Sequence, residues 1–215
     1  EVDLAIPADG EATLAPLVDA VKRLLTPDRQ RFFQERGVKL AAAHREVFDR
    51  YPRLAAAGWN DSPISSARVT AELWPLIKNE DWSLVADVGF FQDWPLKMWK
   101  FEKHYQYIGR PGGLGIGYGA PAAVGAAIAN KKLGRISINI QQDGDLMMGP
   151  GSLWTAANMK VPLLTIMHNN KAFHNELMAQ QRIALGRGRD AKTAHIGNSL
   201  INPDINYAKL ADSMG

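Results

Sequence analysis

The sequence predicts an α/β fold in which a parallel sheet carries helices on both faces, preceded by a separate strand-helix unit. Two observations predict it. From about residue 63 onward, short apolar runs of strand length alternate with helix-length segments. Those runs also read as near-continuously apolar, as strands covered on both faces do.

Taken in order, Val2 to Ile6 is a short apolar stretch that reads as a strand, closed by turn residues Pro7 to Gly10. Ala12 to Leu25 then carries Leu14, Leu17, Val18, Val21 and Leu24 on one helical face. Residues 1–25 thus form one strand-helix unit. The segment from Pro27 to Pro63 is charged and punctuated by Pro52, Gly58 and Asn60, which predicts a linker over 26–62 with an exposed helix at roughly 36–50. The main boundary falls near Asp61, and the main domain spans 63–215. Within it, Ser66 caps a helix running to about Ile77, Ser83 to Val88 reads as a strand and Tyr105 to Ile108 as another. Pro121 to Lys131 predicts a helix, Arg135 to Gln141 a strand, Ser152 to Met159 a helix and Val161 to His168 a strand. A further helix begins near Lys171, and another starts at Tyr207.

Composition narrows the function. The chain has 215 residues, is 46% hydrophobic and carries 25 Lys and Arg against 22 Asp and Glu, a formal charge of +3. No basic run concentrates that charge, so nucleic-acid binding has no support. The absence of cysteine excludes disulfides and thiolate metal sites and is compatible with a reducing cytosol. Neither a signal peptide nor a membrane span is visible, and the expectation is a soluble cytoplasmic protein. The first residues read as a strand already in progress without an initiator Met, and the last helix stops abruptly, so the chain reads as part of a longer one.

In a parallel sheet, ligands bind where strand carboxyl ends meet loops and helix N-termini. Three such loops stand out. The strand Ile136 to Ile140 ends in Gln141-Gln-Asp-Gly-Asp145; the strand Val161 to Met167 ends in His168-Asn-Asn-Lys171; upstream, Gly112-Gly-Leu-Gly-Ile-Gly-Tyr-Gly-Ala-Pro121 opens a helix. A carboxylate and a carboxamide on neighbouring strand ends supply the hard oxygens that magnesium or calcium prefers, and phosphate oxygens complete such a shell. Singly, Asp143-Gly144 is also an ordinary strand-to-helix turn, and Asn169-Asn170 an Asx cap.

Asp143 and Asn170 stand 27 positions apart, across one helix and one strand. This resembles the signature of thiamine diphosphate enzymes of the acetolactate synthase and 2-oxo acid decarboxylase superfamily. Leu153-Trp-Thr-Ala-Ala-Asn-Met-Lys-Val-Pro-Leu163 and the glycine-rich loop 113–125 are similar to that superfamily as well. The resemblance implies thiamine diphosphate and Mg2+ as cofactors. It makes Asp143, Asn170 and the carbonyl of Ala172 the metal ligands, with Asn169 structural. Gly144, Asp145, Phe173 and His174 are then expected around the diphosphate, with Gly89, Phe90 and Phe91 touching it from the other side. Gly115 and Ile116 are expected beneath the thiamine, with the Ile116 side chain propping its bent form. Residues 1–25 resemble the end of the superfamily's middle domain.

Two positions depart from the pattern. Gln142 stands where the first glycine of Gly-Asp-Gly is usual, and Phe90 and Phe91 stand where polar residues are common, so contact there falls to backbone N–H groups unless the rings wall the substrate pocket. His168 and His174 are alternative general acids, and a histidine abutting an apolar strand is otherwise simply packed. No residue matches the activating glutamate of the superfamily's pyrimidine domain, so no catalytic acid or base is assigned. The implied activity is C–C bond cleavage or formation on a 2-oxo acid, acetolactate synthase-like, with a decarboxylase as the alternative and a non-catalytic cofactor-binding or regulatory subunit as another class. The implied partners are a small carbonyl substrate, a pyrimidine domain of the same or a partner subunit, and further copies in a homodimer or homotetramer. A nicotinamide dehydrogenase is disfavoured: Gly115-Ile-Gly-Tyr-Gly-Ala120 matches the loose dinucleotide fingerprint, but no acid follows at the next strand end.

Overall fold

The computed structural model describes the chain except Glu1, Asp87, Arg110, Pro111, Leu114 and the side chains of Val88 and Phe90. Two compact units divide at Arg53 and Leu54. In the first, helix α1 (Gly10–Arg23) is capped by Asp9, whose carboxylate accepts from Ala12 N at 2.8 Å, and it closes on Lys22 and Arg23 as the helix dipole favours. Its predicted apolar face exists, with Leu14, Leu17, Val18, Val21 and Leu24 exposed. The strand expected at Val2 to Ile6 does not form. Extended backbone becomes a strand only beside a neighbour that takes its N–H and C=O groups, and none of the described residues offers one there. The helix expected at roughly 36–50 forms and is twice as long as predicted, running as α2 (Pro27–Ala56). Pro27 sits at its first position, where a missing N–H costs nothing, and no second proline interrupts until Pro52 in the last turns.

The second unit holds the expected parallel sheet. Four strands, β1 (Trp82–Val85), β2 (Tyr107–Gly109), β3 (Ile136–Gln142) and β4 (Leu163–His168), stand in the order β2-β1-β3-β4 and are parallel throughout. Helices α3 (Ser66–Ile77), α4 (Trp94–Met98), α5 (Gly119–Lys131), α6 (Asp143–Met147), α7 (Gly151–Met159), α8 (His174–Gly186) and α9 (Tyr207–Ser213) connect and flank them. The capping residue of α3 is Ser65, one position before the expected Ser66, and its Oγ accepts from Arg68 N at 3.2 Å. Strand β1 is shorter than predicted, because the chain turns into a 3-10 helix over Val88–Phe91. Among the described residues no helix is long and apolar enough to cross a membrane.

The two faces of the sheet differ. On one, Trp82, Leu84, Ile138 and Ile140 bury against Ile77, Phe91 and Trp99. Trp82 and Trp99 meet edge-on with ring centroids 5.8 Å apart, and Trp99 Nε1 donates to the carbonyl of Thr70 at 2.9 Å, so the indole buries its bulk without orphaning its N–H. The opposite face of β1 and β3 is polar and equally buried. Ser83 and Ser137 accept from Asn130 Nδ2 of α5 at 3.2 and 3.0 Å, and Asn139 Nδ2 donates to Gln141 Oε1 at 2.9 Å. β3 therefore alternates strictly and is not the continuous apolar run expected. It tolerates polar residues inside because α5 supplies small residues, Ala120, Ala123 and Ala127, and a hydrogen-bonding Asn130 against them.

Candidate functional site

The polar face of β3 leads into the site. Gln142 and His168 are register partners at the ends of β3 and β4, so the residues that follow them leave the sheet side by side. Asp143 opens α6 and is 1% exposed. The loop after β4 brings Ala172 beneath it. The N–H of Ala172 donates to Asp143 Oδ2 at 3.2 Å and to Asn170 Oδ1 at 3.1 Å, so two side-chain oxygens from different strands meet at one backbone group. The other oxygen, Asp143 Oδ1, is buried without a hydrogen-bond partner. An unpaired buried carboxylate oxygen costs about 1–3 kcal/mol, a cost that a cation or a hydrogen-bond donor placed there would remove.

The loop itself is fixed. Asn169 Oδ1 accepts from Lys171 N at 3.1 Å in an Asx turn, with Lys171 at φ 60°. Phe173 N donates to the carbonyl of Asn198 at 2.8 Å and Leu200 N to that of Lys171 at 2.7 Å. These ties delay helix α8 to His174, three residues later than expected.

Asp145 holds the glycine-rich loop. One carboxylate oxygen accepts from Gly117 N, and the other from Gly119 N at 3.0 Å and Gln141 Nε2 at 2.6 Å. Space is tight along this seam. A Cβ on Gly117, whose φ is +95°, would fall 2.9 Å from Met148 Cβ, and one on Gly119 would fall 2.6 Å from Gln141 Oε1. At Gly144 it would fall 2.7 Å from the Phe173 ring.

The space enclosed is a cavity of about 310 Å³, walled by Gly89, Ile116, Gln142, Asp143, Gly144, Asp145, His168, Asn170, Ala172, Phe173 and His174, with Gln92, Asn175, Glu176 and Met178. Burial pushes the His168 imidazole below its usual pKa, an effect that the nearby charge of Asp143 opposes and that of His174 adds to. Tyr207 is pushed up to about 12, first by burial and then by the charge of Asp143, and its hydroxyl is buried without a partner.

Residues 87–215 match the family model described as thiamine pyrophosphate enzyme, C-terminal TPP binding domain. The chain belongs to this family. It is 28% identical over 219 residues to a probable acetolactate synthase large subunit of Methanocaldococcus jannaschii, covering 99% of this chain and 34% of that protein. It is 36% identical over 90 residues to acetolactate synthase isozyme 1 large subunit of Escherichia coli, covering 41% of this chain and 16% of that one. The thiamine diphosphate-dependent 4-hydroxybenzoylformate decarboxylase of Rhodococcus jostii RHA1 superposes with TM-score 0.58 and 26% identity, over 71% of this chain and 26% of that one. Benzoylformate decarboxylase of Polynucleobacter necessarius, at 18% identity and TM-score 0.59, shares the fold over 73% of this chain and 28% of that one. The chain thus spans about a third of these relatives' length or less.

Against the pattern of thiamine pyrophosphate enzymes, most of the expected site residues come together: Gly89, Ile116, Asp143, Gly144, Asp145, Asn170, Ala172, Phe173 and His174 all face the cavity. Phe91 does not. It is 1% exposed, packed in the core and edge-on to His168 with centroids 4.9 Å apart, because the 3-10 turn rotates it under the sheet end. Gly115 is exposed and is not among the residues walling the cavity. The side chain of Phe90 lies outside the described residues, as does Leu114 of the glycine loop. Gln142 keeps an ordinary extended backbone, φ −77° and ψ 144°, so the glycine usual at this place is not needed for the turn. Sequence reasoning missed Tyr207 and Glu176. Neither lies in a recognisable motif, and Tyr207 comes under the influence of the Asp143 charge only through the fold.

Proposed function

We propose that this chain anchors the diphosphate of thiamine diphosphate through a magnesium ion, in an enzyme that cleaves or forms C–C bonds on a 2-oxo acid in the manner of acetolactate synthases. The observation that carries the reading is the meeting of Asp143 Oδ2 and Asn170 Oδ1 at the Ala172 N–H, with the second Asp143 oxygen, Oδ1, buried and unpaired. Asp143 Oδ1, Asn170 Oδ1 and the carbonyl of Ala172 form an oxygen-only donor set suited to Mg2+, with phosphate oxygens and water completing six-fold coordination. The group bound there supplies a carbanion that adds to carbonyls and stabilises the charge left by decarboxylation.

The chain's own residues position that group. Gly144 lets the Phe173 ring close against the α6 backbone at the cavity wall, and Ile116, 45% exposed in that wall, offers the apolar prop beneath the thiamine. Asp145 keeps the glycine loop in place instead of facing an anion directly. The glutamate that activates the aminopyrimidine is assigned to a pyrimidine domain of the same or a partner subunit, in a homodimer or homotetramer.

A decarboxylase is the second reading, favoured by the likeness to the 4-hydroxybenzoylformate enzyme. Supplying the protein with pyruvate and with aromatic 2-oxo acids, and separating acetolactate or acetoin from free aldehydes, decides between them. Carboligation products from pyruvate are expected. Free aldehyde alone would give the second reading, and no turnover of any 2-oxo acid beside a bound cofactor would leave a non-catalytic subunit.

A further inference from the structure

Gln141 and Gln142 are adjacent and chemically identical, yet they are treated differently. Gln141 is fully engaged: its amide donates to the carbonyl of Gln142 at 3.0 Å and to Asp145 Oδ2 at 2.6 Å, and its oxygen accepts from Asn139. Gln142 Nε2 is buried and has no partner among the described residues. Its residue walls the cavity, and its register partner His168 walls it too, with Nδ1 also buried and unpartnered.

The cavity is acidic, lined by Asp143, Asp145 and Glu176, with no Lys or Arg among the described residues around it. An anion entering such a space relies on the metal and on neutral donors. The Ala172 N–H is already taken by Asp143 and Asn170, and Asp145 takes those of Gly117 and Gly119. Among the described side-chain nitrogens of the cavity wall, Gln142 Nε2 and His168 Nδ1 are the two that are buried without a partner.

We propose that the Gln142 side-chain amide donates a hydrogen bond to a diphosphate oxygen of the bound cofactor, making Gln142 a positioning residue that the glycine usual at this place cannot replace. The inference rests on the cofactor reading above. It also explains why an unpaired donor is held at the end of β3, where the extended backbone makes no demand for glycine or for glutamine.

The test uses the protein with Gln142→Leu and Gln142→Met, which keep the bulk and remove the donor. Two probes are titrated calorimetrically in the presence of Mg2+: thiamine diphosphate and inorganic pyrophosphate. Both variants are expected to weaken both probes by about 10-fold or more, since the lost bond is to a charged acceptor. The thermal midpoint without cofactor should stay unchanged or rise, because no bond is lost in the free protein. Unchanged affinity for both probes, a loss confined to thiamine diphosphate, or a lowered cofactor-free midpoint in both variants would each overturn the proposal. If the unaltered protein binds neither probe, the cofactor reading itself falls, a result distinct from variants that bind normally.

Discussion

Asn170 and Gly144 show how single positions set the site. Asn170 Oδ1 accepts from the Ala172 N–H at 3.1 Å beside Asp143, so removing it strips a donor oxygen from the expected metal shell and loosens the loop. Asn170→Ala should weaken Mg2+-dependent thiamine diphosphate binding by about 100-fold, read by titration at fixed Mg2+. At Gly144 the constraint is steric. A methyl group would sit 2.7 Å from the Phe173 ring, and the ring belongs to a loop pinned at Asn198, so it yields poorly. Gly144→Ala should therefore lower stability by about 1–3 kcal/mol in chemical denaturation, with Phe173→Leu in the same chain restoring part of it. Equal losses in the single and double variants would show that the ring is not the obstacle. Asp143, Gly144 and Asn170 were singled out in the sequence because Asp143 and Asn170 follow neighbouring strands, with α6, α7 and β4 filling the interval between them. The clash with Phe173 and the influence of the Asp143 charge on Tyr207 were not, since both depend on how the 170–208 segment folds back, which no local pattern encodes.

At the scale of elements, the sheet owes its shape to a strand that breaks the expected rule. β3 was read as a near-continuously apolar run, and the parallel sheet with its helices was read from that pattern. The structure shows Ser137, Asn139 and Gln141 buried on one face and Ile138 and Ile140 on the other. The polar face runs as a hydrogen-bonded line from Asn139 through Gln141 to Asp145 and the glycine loop. Asp145→Ala should release that loop and cost about 2–3 kcal/mol of stability, since it removes bonds from two backbone N–H groups and an amide to one charged acceptor. Amide exchange at Gly117 and Gly119 should quicken in the same variant. Exchange unchanged at both glycines would mean the loop is held by other contacts. The strand expected at residues 2–6 and the length of the helix expected at 36–50 were misread for a different reason: apolar and charged runs report burial and helix preference, but not whether a neighbouring strand is present or where a helix with no early breaker stops.

At the scale of the molecule, the ends of the sheet divide the labour. The carboxyl ends carry the cavity, while the opposite ends carry an ionic cluster in which Asp81 accepts from Tyr105 Oη at 2.7 Å, Arg135 Nε at 3.2 Å and Lys103 Nζ at 3.4 Å. The Tyr105 hydroxyl foremost, then Arg135 and Lys103, hold the Asp81 carboxyl below its ordinary pKa against the opposing effect of desolvation. A group whose folded pKa is depressed stabilises the fold above its unfolded pKa and loses that contribution as pH falls through the folded value. Thermal midpoints should therefore drop more steeply below about pH 4 in the unaltered protein than in Asp81→Asn, which has no charge to lose. Parallel curves would show that Asp81 contributes nothing that titrates.

The family was legible from the sequence because its signature lies in the segment 87–215 that matches the family model. The reaction was not, because the chain spans 34% or less of these relatives' length. The central claim is that Asp143 and Asn170 hold a metal that anchors a diphosphate. Calorimetric titration of thiamine diphosphate into the protein, with Mg2+ and then with EDTA, for the unaltered chain and for Asp143→Ala, tests it most directly. Saturable binding that requires Mg2+ and disappears in Asp143→Ala is the predicted result. Binding of equal strength in EDTA, or in the variant with Mg2+, would contradict it.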